Sequence, residues 1–158
     1  MVFEGLPKPR VVIADQGLGL RSCWNEVWPA SILQFCEWHA AQNVKKRLAE
    51  KKYLKKDQKE IEDLVWLYLW SATDAELEQN REEMKAQLRD GEVEYLTNNW
   101  FPKEKQLIRL YTQYFPNLDC FSTQRNESMH PIIKTLLNPQ IRLDQAVLRL
   151  FGDDTLYS

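Results

Sequence analysis

Ser31-Ile-Leu-Gln-Phe-Cys-Glu-Trp-His-Ala-Ala-Gln-Asn-Val-Lys-Lys46 passes from a short apolar run straight into a helical pattern that carries a thiol, an indole, an imidazole and an amide. Ile32 to Phe35 reads as a short buried strand, and Cys36 to about Lys52 as the helix that follows it. Upstream, the β-branched run Val11-Val-Ile-Ala14 ends in Asp15, then Gly17 and Gly19, and reads as a second strand. A helix through Leu20 to Trp28, stopped by Pro29, joins the two. Strand, helix, strand, helix in this order predicts two parallel neighbours in one sheet. The fold class is therefore α/β, predominantly α.

Downstream, every segment from Lys55 to Phe115 reads as helical. Asp63 to Trp70 carries Leu64, Leu67 and Tyr68 on one face and Trp66 and Trp70 on another, which predicts a helix covered on all sides. Thr73-Asp-Ala-Glu76 fits a capping box opening an acidic helix that ends near Gly91. Pro102 opens a further helix over Lys103 to Phe115, and Pro116-Asn-Leu-Asp119 is a turn. Cys120 to Thr123 leads into helices over Gln124 to Asn138 and Leu143 to Phe151. No internal repeat or low-complexity linker interrupts the chain.

The 158 residues, 44% hydrophobic and 28% charged, suit a single globular domain. No apolar run is long enough to span a membrane, and Met1 to Pro7 has neither a basic nor an apolar leader region. Three widely spaced cysteines, Cys23, Cys36 and Cys120, argue against a disulfide framework and for a reducing compartment. The net charge of -2 gives no general attraction to nucleic acid, but its distribution is uneven. Lys45, Lys46, Arg47, Lys51, Lys52, Lys55, Lys56 and Lys59 face only Glu50 and Asp57 between positions 45 and 59, whereas Asp74 to Glu94 is acidic. Solvated helix faces explain both stretches; a phosphate-facing surface is the alternative for the first.

Three constellations carry possible chemistry. Asp15 stands at the carboxyl end of a strand, where α/β sheets place ligand-binding groups, although an Asp between strand and helix is also a common N-cap. Cys36 and His39 are three apart, so a helix sets them on one face with Asn43 a turn further on. Half a zinc site has this spacing, and completing it requires Cys120 with His130 or Cys23 at separations unlike a zinc finger. The alternative is a small buried Cys36 with Trp38 packed beside it and His39 bonded to a backbone carbonyl. Glu127 lies in the polar stretch Ser122-Thr-Gln-Arg-Asn-Glu-Ser-Met-His130, which also suits a helix cap and its solvated first turn. Pro131 removes a helical hydrogen bond to the Glu127 carbonyl, so the regular helix should start or kink near His130.

Taken in order, these pieces resemble the transposase domain of Mutator-like elements: a strand ending in Asp15, Trp28-Pro29, a strand, Cys36-x-x-His39 with Asn43 and Lys45, a long helical stretch, then Thr123-Gln-Arg-x-Glu-Ser-Met-His130 with Lys134. The resemblance runs from about Val11 to Leu150. It implies an RNase H-like core interrupted by a helical insertion, with 10–52 as the α/β part, 53–121 as the insertion and 122–151 as return helices bearing the glutamate. It further implies that Asp15 and Glu127 are catalytic and hold Mg²⁺ or Mn²⁺, since hard cations take carboxylate oxygens and two of them can serve an in-line phosphodiester displacement. Cys36 and His39 match the family's signature pair. Lys45, Lys46, Arg125 and Lys134 are the candidate contacts to DNA, with transposon ends and target as partners and the nucleus as the place of action.

The family's first aspartate belongs on a strand well upstream of Asp15, and Glu4 is the sole acid among the fourteen residues that precede Asp15. The expectation is a segment of a longer transposase, or a degenerate copy, that alone does not cut or join DNA. Its sheet would expose an edge able to self-associate. The alternative function is a non-catalytic, domesticated DNA-binding or interaction protein that keeps the fold without the chemistry. A zinc-stabilised helical domain is the third possibility.

Overall fold

β1 (Val11–Ala14) and β2 (Ile32–Phe35) pair in parallel, with Val11 opposite Ile32 and Ala14 opposite Phe35, in the computed structural model, which describes residues 8–15 and 26–123. Of the intervening segment, Glu26 and Val27 are helical, and residues 16–25, with most of the helix expected over Leu20 to Trp28, lie outside the described residues. Pro29 occupies the second position of a turn closed by the Ser31 N–H donating to the Trp28 carbonyl at 3.0 Å. The Ser31 hydroxyl donates a short hydrogen bond to the Pro9 carbonyl, which ties the entry of β2 to the entry of β1. Leu33, Gln34 and Phe35 are all buried, so β2 is covered on both faces. Among the described residues the sheet has these two strands.

Among the described residues six α-helical segments follow: α1 (Glu37–Glu50), α2 (Lys55–Leu69), α3 (Asp74–Gln87), α4 (Asp90–Asn99), α5 (Glu104–Leu107) and α6 (Arg109–Thr112), with a 3₁₀ turn over Phe101–Lys103 before α5. The described part of the chain is thus predominantly helical with two parallel strands, as its pattern predicts. The chain divides into two compact units, Met1–Ser122 and Thr123–Ser158, and every element named here belongs to the first. The expected helices over Gln124 to Asn138 and Leu143 to Phe151 fall outside the described residues.

α1 buries Ala40, Ala41, Val44 and Leu48, an apolar stripe at helical spacing. It ends in a Schellman arrangement: the Lys52 N–H donates to the Ala49 carbonyl and the Tyr53 N–H to the Leu48 carbonyl, both at 3.1 Å. Lys52 therefore adopts φ 56, a left-handed position that glycine would occupy at no steric cost. α2 returns antiparallel to α1, since Trp70 meets Glu37 at one end and Glu62 meets Lys45 at the other. Ile61, Val65, Tyr68 and Leu69 of α2 join Leu77 and Met84 of α3, Leu96 of α4, Trp100, Leu107 and Ile108 in one continuous core with the α1 stripe and with Ala14, Leu33 and Phe35 of the strands.

The predicted capping box is present: Thr73 Oγ1 accepts from the Glu76 N–H at 3.2 Å while Glu76 Oε2 accepts from the Ala72 N–H at 2.8 Å. Three expectations are corrected. α2 is not covered on all sides, because Leu67 and Trp70 are 51% and 48% exposed; Trp70 carries the Arg109 guanidinium on its ring, beside the Trp66 ring at 5.2 Å. The acidic helix stops at Gln87, not at Gly91, which lies in the first turn of α4. The break is tertiary: extended Leu88 packs on the core, and the Arg89 N–H donates to the Tyr53 hydroxyl at 2.9 Å. The helix expected over Lys103 to Phe115 is interrupted at Ile108, whose backbone is extended. There Leu107 and Ile108 are both fully buried, and the Leu110 N–H donates to the Ser71 carbonyl at 2.8 Å, a bond that a continuous helix would not make.

Candidate functional site

Of the residues singled out in the sequence, Asp15 and Cys36 stand at the carboxyl end of the two strands. Asp15 follows the last residue of β1 and is exposed. The Cys36 N–H donates to the Ala14 carbonyl at 2.8 Å, so Asp15 and Cys36 leave neighbouring strands at the same level. Cys36 is fully buried and takes the N-cap position of α1 with extended backbone, its carbonyl accepting from the Ala40 N–H. The sequence pattern starts this helix at about Cys36, with His39 on the same face; Cys36 is its N-cap, one position before the first helical residue. His39 is half-buried, with its ring edge-on to Trp38 at 4.9 Å, and Asn43 is exposed.

A second stretch of chain crosses this end. Asn117 is anchored by its side chain, donating to Gln34 Oε1 at 2.8 Å and to the Thr112 carbonyl at 3.2 Å, while its Oδ1 accepts from the Asp119 N–H at 3.1 Å. That anchoring holds Leu118 and Asp119 at φ 53 and 59, a conformation that non-glycine residues seldom adopt. Gln34 Nε2 then donates to the Cys120 carbonyl at 3.3 Å, and the Glu37 N–H to the Phe121 carbonyl at 3.1 Å. The chain from 117 to 121 is thereby tied to β2 and to the first turn of α1.

Glu37, between Cys36 and Trp38, is 3% exposed and fully occupied. Arg109 Nε donates to Oε1 at 3.1 Å and Nη2 to Oε2 at 3.2 Å, and the Trp70 indole N–H donates to Oε2 at 3.1 Å. Burial pushes the Glu37 carboxyl above its ordinary range, and the hydrogen bonds and charge of Arg109, with the Trp70 bond, offset that only in part. The Arg109 guanidinium lies over both the Trp70 ring, at 5.0 Å, and the Phe121 ring, at 4.7 Å. Glu37, Arg109, Gln34 and Asn117 were not singled out in the sequence. Glu37 had a legible signal: it shares the stripe of Ala41, Val44 and Leu48, so an acid stood on a buried face.

The basic stretch is largely engaged with acids of the same molecule. Lys45 pairs with Glu62 at 3.2 Å, Lys46 with Glu50 at 4.0 Å, Arg47 with Glu92 at 3.7 Å, Lys56 with Glu60 at 3.7 Å and Lys59 with Asp63 at 2.6 Å. Glu127, Arg125, Lys134, His130 and Cys23 lie outside the described residues.

For a divalent cation, Asp15 supplies one hard oxygen donor at a strand end. Glu37 cannot serve as a second, because both its oxygens already accept from Arg109 and Trp70. Among the described residues no group of three or more His, Cys, Asp or Glu side chains is placed to hold a metal ion. Comparison of the chain with family models, with curated proteins and with solved structures found no match.

Proposed function

We propose that the chain is a segment of a DNA transposase catalytic core of the Mutator-like type, with an RNase H-like α/β part at 10–52, a helical insertion at 53–121 and a return at 122–151. One observation carries the reading. Asp15, the Cys36-x-x-His39 turn and the chain that enters the Glu127 stretch all occur at the carboxyl end of two parallel strands, the position where α/β sheets bind ligands. The backbone bonds from Cys36 to Ala14 and from Glu37 to Phe121, with the Gln34 bond to Cys120, support this reading.

Asp15 and Glu127 would hold Mg²⁺ or Mn²⁺, which when bound activates the attacking oxygen and stabilises the leaving oxygen of a phosphodiester. The chain's own contribution is to hold the Asp15 carboxylate at the end of β1 and to expose basic groups for the DNA backbone. Lys45 and Lys46 would exchange their ion pairs for phosphate at little cost, since exposed pairs are worth about 0–1 kcal/mol.

Calorimetric titration with Mn²⁺ tests this. The wild-type chain should bind, and Asp15→Asn and Glu127→Gln should each weaken binding by about tenfold or more, the loss of about one carboxylate's contribution. Binding indifferent to both variants overturns the metal site. Salt-dependent DNA binding that is equally indifferent to them would favour the non-catalytic alternative.

A further inference from the structure

Three partly buried ionic clusters link elements within the described residues. Arg81, Glu104 and Tyr68 join α2, α3 and α5, and Arg47, Glu92 and Tyr53 join α1 to α4 and to the loop before α2. Both lie among helices. The third, Glu37 with Arg109 and Trp70, stands at the strand end and brings together positions 37, 70, 109 and 121.

Arg109 reaches Glu37 because the helix breaks at Ile108, and it reaches Phe121 because Asn117 bends the chain back over Gln34. Burial raises the Glu37 pKa in spite of Arg109, as where desolvation outweighs the attraction within the pair. What such a pair does supply is a fixed geometry, through two parallel N–H to oxygen bonds.

We propose that Glu37 and Arg109 are positioning residues, a latch that holds Asn117 to Phe121 across the carboxyl end of β1 and β2, beside Asp15 and Cys36. The latch stands on the described geometry; its effect on metal binding rests on the proposed function.

The test uses the full chain with Glu37→Gln and, as a variant that keeps the positive charge, Arg109→Lys. Amide hydrogen exchange, urea unfolding and Mn²⁺ titration are measured on each. In Glu37→Gln the urea midpoint should stay close to wild type while exchange at the Glu37, Asp119 and Cys120 amides accelerates about tenfold, a local opening below the global one. Mn²⁺ affinity should fall about fivefold at unchanged stability, a loss of pre-organisation that a purely structural pair would not produce. Arg109→Lys, which cannot make the bidentate contact, should behave alike. Unchanged exchange overturns the latch. Accelerated exchange with unchanged Mn²⁺ affinity overturns the positioning role. Should wild type bind no Mn²⁺, the functional reading fails, and the exchange data still decide the latch.

Discussion

The strand end and the helical region bury different things. Around β2 and the first turn of α1 the molecule encloses Ser31, Gln34, Glu37, Thr112 and Asn117, most of them satisfied by specific long-range hydrogen bonds. Between α1, α2 and α3 it encloses mostly Ala, Leu, Ile, Val and Met, with the Tyr68 and Glu92 clusters at the margin, and the lysines of α2 pair with acids on the surface. Apolar burial is non-directional and sets how stable the fold is. Buried polar groups add little net stability but penalise every arrangement that leaves them without partners, so they determine where chain segments sit.

That contrast makes the variants unequal. Arg109→Ala should be the most damaging, about 3–5 kcal/mol in urea unfolding at neutral pH, because it leaves the Glu37 carboxylate buried without its counter-charge. Part of the loss should return on acidification, which an apolar deletion would not show. Leu69→Ala, a fully buried side chain in the helical core, should cost about 3 kcal/mol with no pH dependence. Tyr68→Phe should cost about 1.5 kcal/mol, since it removes a 2.6 Å hydrogen bond to Glu104 but leaves that carboxylate with Arg81. Lys52→Gly should stabilise by about 0.5–1 kcal/mol by relieving the left-handed backbone at the end of α1.

The finest probe is a slope. The folded-state pKa of Glu37 lies above its ordinary value of 4.5, so between those two values the folded chain binds a proton that the unfolded chain does not. Stability from this group therefore rises as pH falls through that window and is level below 4.5. Subtracting the profile of Glu37→Gln from that of wild type should isolate the slope; a difference that runs the other way would place Glu37 among carboxylates stabilised by their partners.

Much of the architecture was legible. Val11 to Ala14 and Ile32 to Phe35 announce strands by β-branching and apolar runs, and Thr73 with Glu76 announces a helix start by local chemistry. Those signals act within a few residues. The breaks at Leu88 and Ile108 were not legible because their causes are distant: the Tyr53 hydroxyl for one, the Ser71 carbonyl for the other. Gly91 misled, since a glycine after an acidic helix suits a terminator as well as it suits the first turn of the next helix. At the candidate site, Asp15 and the Cys36 to His39 turn could be named from spacing and order. Arg109 could not, because an arginine in an amphipathic stretch gives no sign of the acid 72 residues away that it meets.

The account turns on Asp15 sharing a cation with Glu127. Anomalous diffraction from crystals soaked in Mn²⁺ measures this directly. A peak at about 2.1 Å from carboxylate oxygens of both residues, at the carboxyl end of β1, is the predicted result. Carboxylates of Asp15 and Glu127 facing away from each other, with no cation between them, would contradict it.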